Sequence, residues 1–369
     1  MFSDYNEKLA KLVVNYAVEV KTGDTVVISG AIDAADLIQA MYTEVIKAGG
    51  NMIETDIGIP GNSEIFFKYA TEEQLKFVNP ISKLASETVD KYMSVFSSTN
   101  RKGLANIDQE KMMMVQKANH HLQQNIMERS AKGELMWNIC PYPSPAFAQE
   151  GNMGTLEYKE FVYKALALDK PDPVAYWKDV ETKHNSIIAI LEQGKIYRVV
   201  GEDTDISMNI EGRKWMNSCG HRNLPDGEVH SSPHEDSVNG TIRFTYPGIR
   251  SGVEIENIWL KFKDGRVVEH DASKGKEYLD KVLELENADR IGEIAVGTNY
   301  GIDRFTKNML FDEKMGGTIH FALGSGYPQT GSKNVSNIHW DILKDMKSDN
   351  SVIYVDGKEI YRAGKWLIS

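Results

Sequence analysis

The sequence predicts an α/β N-terminal domain with a mainly parallel sheet, followed by an α+β C-terminal domain rich in antiparallel strands. Three observations lead there. Through the first half, short β-branched runs alternate with segments whose apolar residues recur at helical spacing, the pattern of βαβ units. Past residue 195, short strand-like runs follow one another through tight turns. Between the two, Pro171-Asp172-Pro173 breaks the texture of the chain. The 369 residues suit two domains of about 100–200 residues each. The boundary is expected between residues 170 and 195, dividing the chain into 1–180 and 181–369.

In order along the chain, residues 5–18 carry Leu9, Leu12, Val13, Tyr16 and Ala17 at helical spacing. A turn at Thr22-Gly23-Asp24 leads into a buried strand over 25–29. Residues 34–48 form a helix with Leu37, Met41, Val45 and Ile46 on one stripe, stopped by Gly49-Gly50. Strands are predicted over 51–57, 91–96 and 135–140, and a long amphipathic helix over 108–129. Past the prolines, 174–193 is a helix with Trp177, Val180, Ile187, Ile188 and Leu191 as its apolar side. Strands then follow over 195–200, 205–210, 240–246, 254–262 and 266–270, with Asp264-Gly265 as a two-residue hairpin turn.

Composition narrows the function. A net charge of −11 argues against a nucleic-acid partner, which needs a surplus of Lys and Arg on some face. Two cysteines, Cys140 and Cys219, support neither a disulfide framework nor a cysteine zinc ribbon, and a reducing compartment suits them. Residues 1–9 are polar, with Asp4, Glu7 and Lys8, and do not read as a signal peptide. No stretch approaches the roughly 18 apolar residues of a membrane span. The cytoplasm is the expected location.

The residues able to carry chemistry lie in the last 150 or so positions. In Asn337-Ile338-His339-Trp340-Asp341, an extended backbone projects His339 and Asp341 to one face, where both can ligate a divalent metal. An HxD pair equally describes a surface histidine beside a capping aspartate. His320 stands in a strand-like, glycine-flanked apolar run, so its ring needs a backbone carbonyl or a metal as partner. Seven residues on, Tyr327 sits on the turn Gly324-Ser325-Gly326-Tyr327-Pro328, either reaching a site or packing as an aromatic. Glu293 interrupts an apolar strand, and Glu228 follows a Pro225-Asp226-Gly227 turn that can fix its direction. Either can instead pair with an arginine such as Arg222 or Arg250. Glu313, between Asp312 and Lys314, also fits a solvated turn. Glu235 and Glu256 read as salt-bridge or surface carboxylates. Taken together, Glu228, Glu293, Glu313, His320, His339 and Asp341 supply carboxylates and imidazoles but no thiolate, the donor set expected where two divalent ions share a site.

Six blocks in order carry a family resemblance: Leu224-Pro225-Asp226-Gly227-Glu228-Val229, Glu235-Asp236-Ser237-Val238-Asn239-Gly240, Ile291-Gly292-Glu293, Asp312-Glu313-Lys314, residues 318–324, and His339-Trp340-Asp341. Together they resemble the thermophilic-type metallo-aminopeptidases, which include aminopeptidase T, aminopeptidase S and PepS. Val20-Lys21-Thr22-Gly23-Asp24 and Pro141-Tyr142-Pro143 extend the likeness into the first half. The resemblance implies a cytosolic homodimer that removes N-terminal residues from peptides with a free N-terminus, using two divalent ions (zinc, cobalt or manganese). It implies that Glu228, Glu293, Glu313, His320, His339 and Asp341 are ligands. It also implies that Tyr327 is the catalytic tyrosine, hydrogen-bonding the oxyanion, while Glu293 or Glu228 shuttles the proton. The chain departs from many relatives at His230-Ser231-Ser232-Pro233-His234, where Phe-Thr-Ala-Pro is common. His234 is expected at the surface, and the role of His230 is open. The rival classes are another two-metal hydrolase, such as an amidohydrolase or phosphoesterase, and a non-catalytic α/β binding protein.

Overall fold

The computed structural model describes residues 4–250 and 252–367, so the first three residues of the polar N-terminal segment lie outside it. The chain forms two compact units, one of residues up to 174 with 220–225, the other of 175–219 and 226 onward.

The first unit is built on four strands, β1 (Thr25–Ala31), β2 (Asn51–Gly58), β3 (Lys91–Phe96) and β4 (Met136–Pro141). They pair in the order β2-β1-β3-β4, every pair parallel. Val26, Val27 and Ile28 at the centre are buried, as their β-branched run predicts. The expected helices appear at Ala35–Lys47 and Gln109–Ala131. The predicted helix over 5–18 is in fact an α-helix, Tyr5–Leu12, continued by a π-helical turn, Val13–Ala17. That wider turn shifts the phase so that Val13, Val14, Tyr16 and Ala17 are all buried. Three short helices, Asn62–Tyr69, Glu72–Leu75 and Pro80–Thr88, carry no readable period because they bury few side chains.

The second unit contains the remaining strands. These are β5 (Ile196–Gly201), β6 (Thr204–Asn209), β7 (Met216–Ser218), β8 (Glu228–Ser231), β9 (Asn239–Arg243), β10 (Gly248–Arg250), β11 (Val253–Ile255), β12 (Trp259–Lys263), β13 (Arg266–Asp271), β14 (Ile291–Gly297), β15 (Thr318–Gly324), β16 (His339–Asp345), β17 (Val352–Val355), β18 (Lys358–Arg362) and β19 (Lys365–Trp366). One sheet runs β13-β12-β9-β6-β5-β17-β18-β19 and a second runs β16-β15-β14-β8-β7, while β10 and β11 form a separate pair. A single apolar core joins the two large sheets, with Val199, Ile206, Ile242 and Leu260 from one and Ile294, Val296, Phe321 and Ile342 from the other. The predicted strand 254–262 is split into β11 and β12, because Asn257 takes a positive φ of 54° that interrupts the extended backbone. Asp264 and Gly265 both have positive φ, as a two-residue hairpin turn requires.

Candidate metal centre

The five-stranded sheet separates its side chains by alternation. Glu228 and His230 of β8 face Gly297 and Ala295 of β14, His320 of β15 is also opposite Ala295, and Asp341 of β16 is opposite Ala322. These residues therefore share one face of the sheet. The intervening residues, including Val229, Ile294, Val296, Phe321, Trp340 and Ile342, belong to the core on the other face. Strict alternation would put Ile291 and Glu293 on the same side. A register shift between them, at Gly292, pairs Ile291 with Leu323 and Glu293 with Ala322, so the isoleucine joins the core and the carboxylate joins the polar face. Only glycine fits at the bulge, since a Cβ there would stand 2.3 Å from the Gly324 carbonyl oxygen.

On this face the donor atoms converge. His339 Nε2 is 3.1 Å from Glu293 Oε2 and 3.3 Å from Asp341 Oδ1. His320 Nε2 is 3.4 Å from Glu228 Oε2 and 3.8 Å from Glu293 Oε1. His230 Nδ1 is 3.3 Å from Glu228 Oε1. Two groups each have ligand atoms lying within 4.8 Å of one another, Glu228 with His230 and Glu293, and Glu293 with His339 and Asp341. Glu293 belongs to both.

The chemistry of this set fits a divalent metal. Ligand bonds of about 2.0–2.2 Å in a tetrahedral shell put neighbouring donors roughly 3.3–3.6 Å apart, and the imidazole–carboxylate distances of His320 and His339 bracket that range, from 3.1 to 3.8 Å. Glu228 Oε2, Asp341 Oδ1 and His320 Nδ1 are buried without any hydrogen-bond partner, a costly state in the absence of a cation. The Nδ1 of His339 is hydrogen-bonded to the Ser325 carbonyl oxygen at 2.8 Å. That bond uses Nδ1–H as donor, so in the neutral ring Nε2 turns its lone pair toward the two carboxylates, as for a metal-binding histidine.

Electrostatics say the same. Burial alone would lower the His320 and His339 pKa values. For His320 the nearby carboxylates of Glu293, Glu228 and Asp341 outweigh burial and push it up to about 9. For His339 the adjacent carboxylates of Asp341 and Glu293 push it up to about 11. Burial would raise Glu293, yet the imidazoles of His230, His320 and His339 pull it well below the carboxylate range. Without metal, the rings hold protons to offset the carboxylates; a divalent ion replaces those protons.

Around this centre lie residues the sequence did not mark. Lys314 is buried and its Nζ donates to Glu228 Oε1 at 2.6 Å, with Glu313 Oε1 at 2.9 Å and Asp226 Oδ1 at 3.7 Å. The cation beside Glu228 is thus this lysine, in place of the Arg222 or Arg250 considered from sequence. Nor is Asp312-Glu313-Lys314 a solvated turn, since Asp312 and Lys314 are both buried. Glu313 follows the short helix Met309–Asp312, outside both ligand groups, and burial raises its carboxyl to about 7. Lys314 carries no sequence signal beyond its acidic neighbours.

Tyr327 places its ring 5.2 Å from His339 and 5.7 Å from His230, centroid to centroid, and is 44% exposed. Desolvation, and after it the carboxylates of Glu293 and Asp341, keep its phenol protonated far above the ordinary range, so it is a donor. Its loop is held from below. Thr330 Oγ1 donates to the Tyr327 carbonyl oxygen at 2.7 Å. Arg213 donates to the Gly331 carbonyl oxygen and to Glu235 Oε2, and Lys333 N–H donates to Glu235 Oε1 at 2.6 Å. Glu235 is therefore a salt-bridge carboxylate with a structural duty, whereas Glu256 pairs with Lys274 at the surface. His234 binds the Glu211 carbonyl oxygen in an exposed setting, and His230 is turned inward.

Comparison with known proteins agrees with the geometry. Aminopeptidase 2 of Geobacillus stearothermophilus is 25% identical over 403 residues, covering 98% of this chain and 97% of its own. Aminopeptidase T of Thermus thermophilus is 25% identical over 410 residues, with 98% of each chain covered. Aminopeptidase AmpS of Bacillus subtilis is 26% identical over 410 residues, with 99% of each covered. The alignments run longer than the 369 residues of this chain, so the relatives contain segments it lacks. The solved structure titled wild-type AmpT from Thermus thermophilus superposes with a TM-score of 0.84 at 23% identity, over 100% of both chains, and establishes the fold. The family model described as thermophilic metalloprotease (M29) matches residues 2–366, and the chain belongs to that family of peptide-bond hydrolases.

Proposed function

We propose that this protein is a metal-dependent aminopeptidase that removes the N-terminal residue of peptides bearing a free α-amine, using two divalent ions (zinc, cobalt or manganese). The observation that carries this reading is the sharing of Glu293 between two ligand groups on one face of one sheet. A common carboxylate between two ions about 3.5–4 Å apart is the design of two-metal hydrolases, aminopeptidases among them, and the relatives bear aminopeptidase names. Glu228 and His320 would hold one ion and His339 and Asp341 the other, with Glu293 available to both. Glu313 belongs to the proposed set, with its carboxylate restrained by Lys314.

Bound there, the ions supply Lewis-acid polarisation and bring the pKa of water to near 7. The chain's own groups do the rest. A carboxylate of the centre, Glu293 or Glu228, accepts the proton of the attacking water and passes it to the leaving amine. Tyr327 donates its phenolic proton in a hydrogen bond to the carbonyl oxygen as negative charge builds there. Lys314 keeps Glu228 ionised and in place. A phosphoesterase would need a free cation to clamp phosphate, and Lys314 is committed to three carboxylates. The resemblance also carries a cytoplasmic homodimer, which sedimentation and cell fractionation test.

The deciding experiment assays metal-stripped protein on aminoacyl p-nitroanilides, free and N-acetylated, with each metal added back. Activity should vanish on chelation, return with a divalent ion, and be confined to substrates with a free amine. Full activity after verified metal removal overturns the reading.

A further inference from the structure

His230 is the one inward-facing imidazole of the polar face that the proposed ligand set leaves out. It lies in β8 two residues from Glu228, on the same side of the sheet, and is paired with Ala295 of β14. On the far side of the same alanine lies His320 of β15. The small Ala295 side chain thus leaves a lane flanked by two imidazoles. Within it His230 Nδ1 stands 3.3 Å from Glu228 Oε1 and 3.9 Å from Glu293 Oε1, while His320 Nε2 approaches the other oxygen of Glu228 at 3.4 Å. The same Nδ1 is 3.3 Å from the Ser218 hydroxyl, the neighbour a purely structural histidine would use. One side chain approaches each of two carboxylates at distances that suit donors around a shared ion, and three ligand atoms lie within 4.8 Å.

We propose that His230 is a metal ligand, so that the ion beside Glu228 is held by four protein groups, Glu228, His230, Glu293 and His320. The inference rests on the two-metal reading above. It makes the two sites unequal: the group of Glu293, His339 and Asp341 offers three donors and is the more open, as a catalytic position is, whereas four donors close a site and tighten it.

The test uses Co2+ added to the metal-stripped full-length protein, with His230→Phe as the variant, because a phenyl ring keeps the tilted ring contact with Tyr327 and removes the nitrogen. Binding is read by competition with a chelator, and ligation by the paramagnetically shifted exchangeable ring N–H signals in the proton NMR spectrum. Wild type should take up two ions of unequal affinity and show three shifted N–H signals, from His230, His320 and His339. His230→Phe should show two signals and weaken the tighter site by at least the ~10–100-fold that loss of a mere supporting partner costs, leaving the weaker site unchanged. His230→Asn gives the same readout if the Phe variant fails to fold. Two signals in wild type, with affinities unmoved by the substitution, would return His230 to a hydrogen-bonding role beside Ser218 while the two-metal reading stands. A wild-type protein that binds no cobalt would remove both.

Discussion

The two faces of the five-stranded sheet are made by alternate residues of the same strands, and they meet opposite demands. One face packs Ile294, Val296, Phe321 and Ile342 against the other sheet of its unit. The other gathers Glu228, His230, Glu293, His320, His339 and Asp341 with several polar atoms left unpartnered. A face stabilised by burial tolerates any apolar side chain of the right volume. A face built of ionisable groups is stable only with counter-charge in place. Substitutions on the two should therefore separate stability from function.

The largest effect is expected on the polar side. Glu293→Gln keeps the shape of the side chain but removes the charge shared by both ligand groups. Activity should fall on the order of 1,000-fold, about 4 kcal/mol in the barrier, with metal content reduced in the same preparation. Near-normal activity in a metal-replete variant would break the assignment of Glu293 to the centre. Across the sheet, Phe321→Ala should do the reverse, costing about 3–5 kcal/mol of stability by leaving a cavity. Its specific activity at low temperature should stay near wild type; a loss of metal instead would show that the faces are coupled.

How much of this contrast was legible follows from the same alternation. Ile294, Val296, Phe321 and Ile342 announce themselves because burial selects apolar side chains with a period of two. Glu293 and His320 were legible as interruptions of that pattern, and His339 and Asp341 by their spacing. The bulge at Gly292 was not, because a glycine beside a glutamate looks the same in either register. Lys314 and Arg213, the partner of Glu235, were silent too: their roles depend on residues 86 and 22 positions away. The family resemblance supplied candidate roles where local pattern alone left each residue ambiguous.

Tyr327→Phe sharpens the comparison at the rim of the polar face. The ring and its loop remain, and only the phenolic hydroxyl is lost. Turnover and kcat/KM should fall together by about 100-fold, with metal content unchanged. Loss of metal instead would make the tyrosine a support for the ligands. One step further out, Glu235→Gln should cost roughly tenfold in kcat/KM by loosening the loop under Tyr327, a smaller effect of the kind produced by slight misplacement of a catalytic group. The same change at the exposed Glu256 should be silent, and equal losses at both would place the effect elsewhere.

The smallest effect compares two buried histidines, one on each side of the sheet. His320 stands among carboxylates and is pushed up to about 9, whereas at His184 burial outweighs the Asn217 hydrogen bond and the charge of Glu228 and pushes the ring down to about 4. His184 reaches from the helix Pro173–Leu191, placing Nδ1 2.8 Å from Asn217 Oδ1 and Nε2 2.8 Å from Thr298 Oγ1. The carbonyl of Asn217 can only accept, so Nδ1 carries the hydrogen and Nε2 accepts from the threonine. Protonating Nε2 would reverse that second bond, with Thr298 Oγ1 accepting, and would place a charge in a dry setting. In the unfolded chain the same ring titrates near its ordinary 6.5, so as pH falls the unfolded state takes the proton first. The neutral ring's contribution to stability is therefore complete above pH 6.5 and drains away toward pH 4. At pH 5.5 the loss should be about 1 kcal/mol, read as a lower midpoint in urea at constant slope. His184→Gln lacks the titration and should flatten that part of the profile, although it is less stable at pH 7. An unchanged slope in the variant would mean that His184 is already protonated in the fold, and that its side of the sheet is less dry than the packing implies.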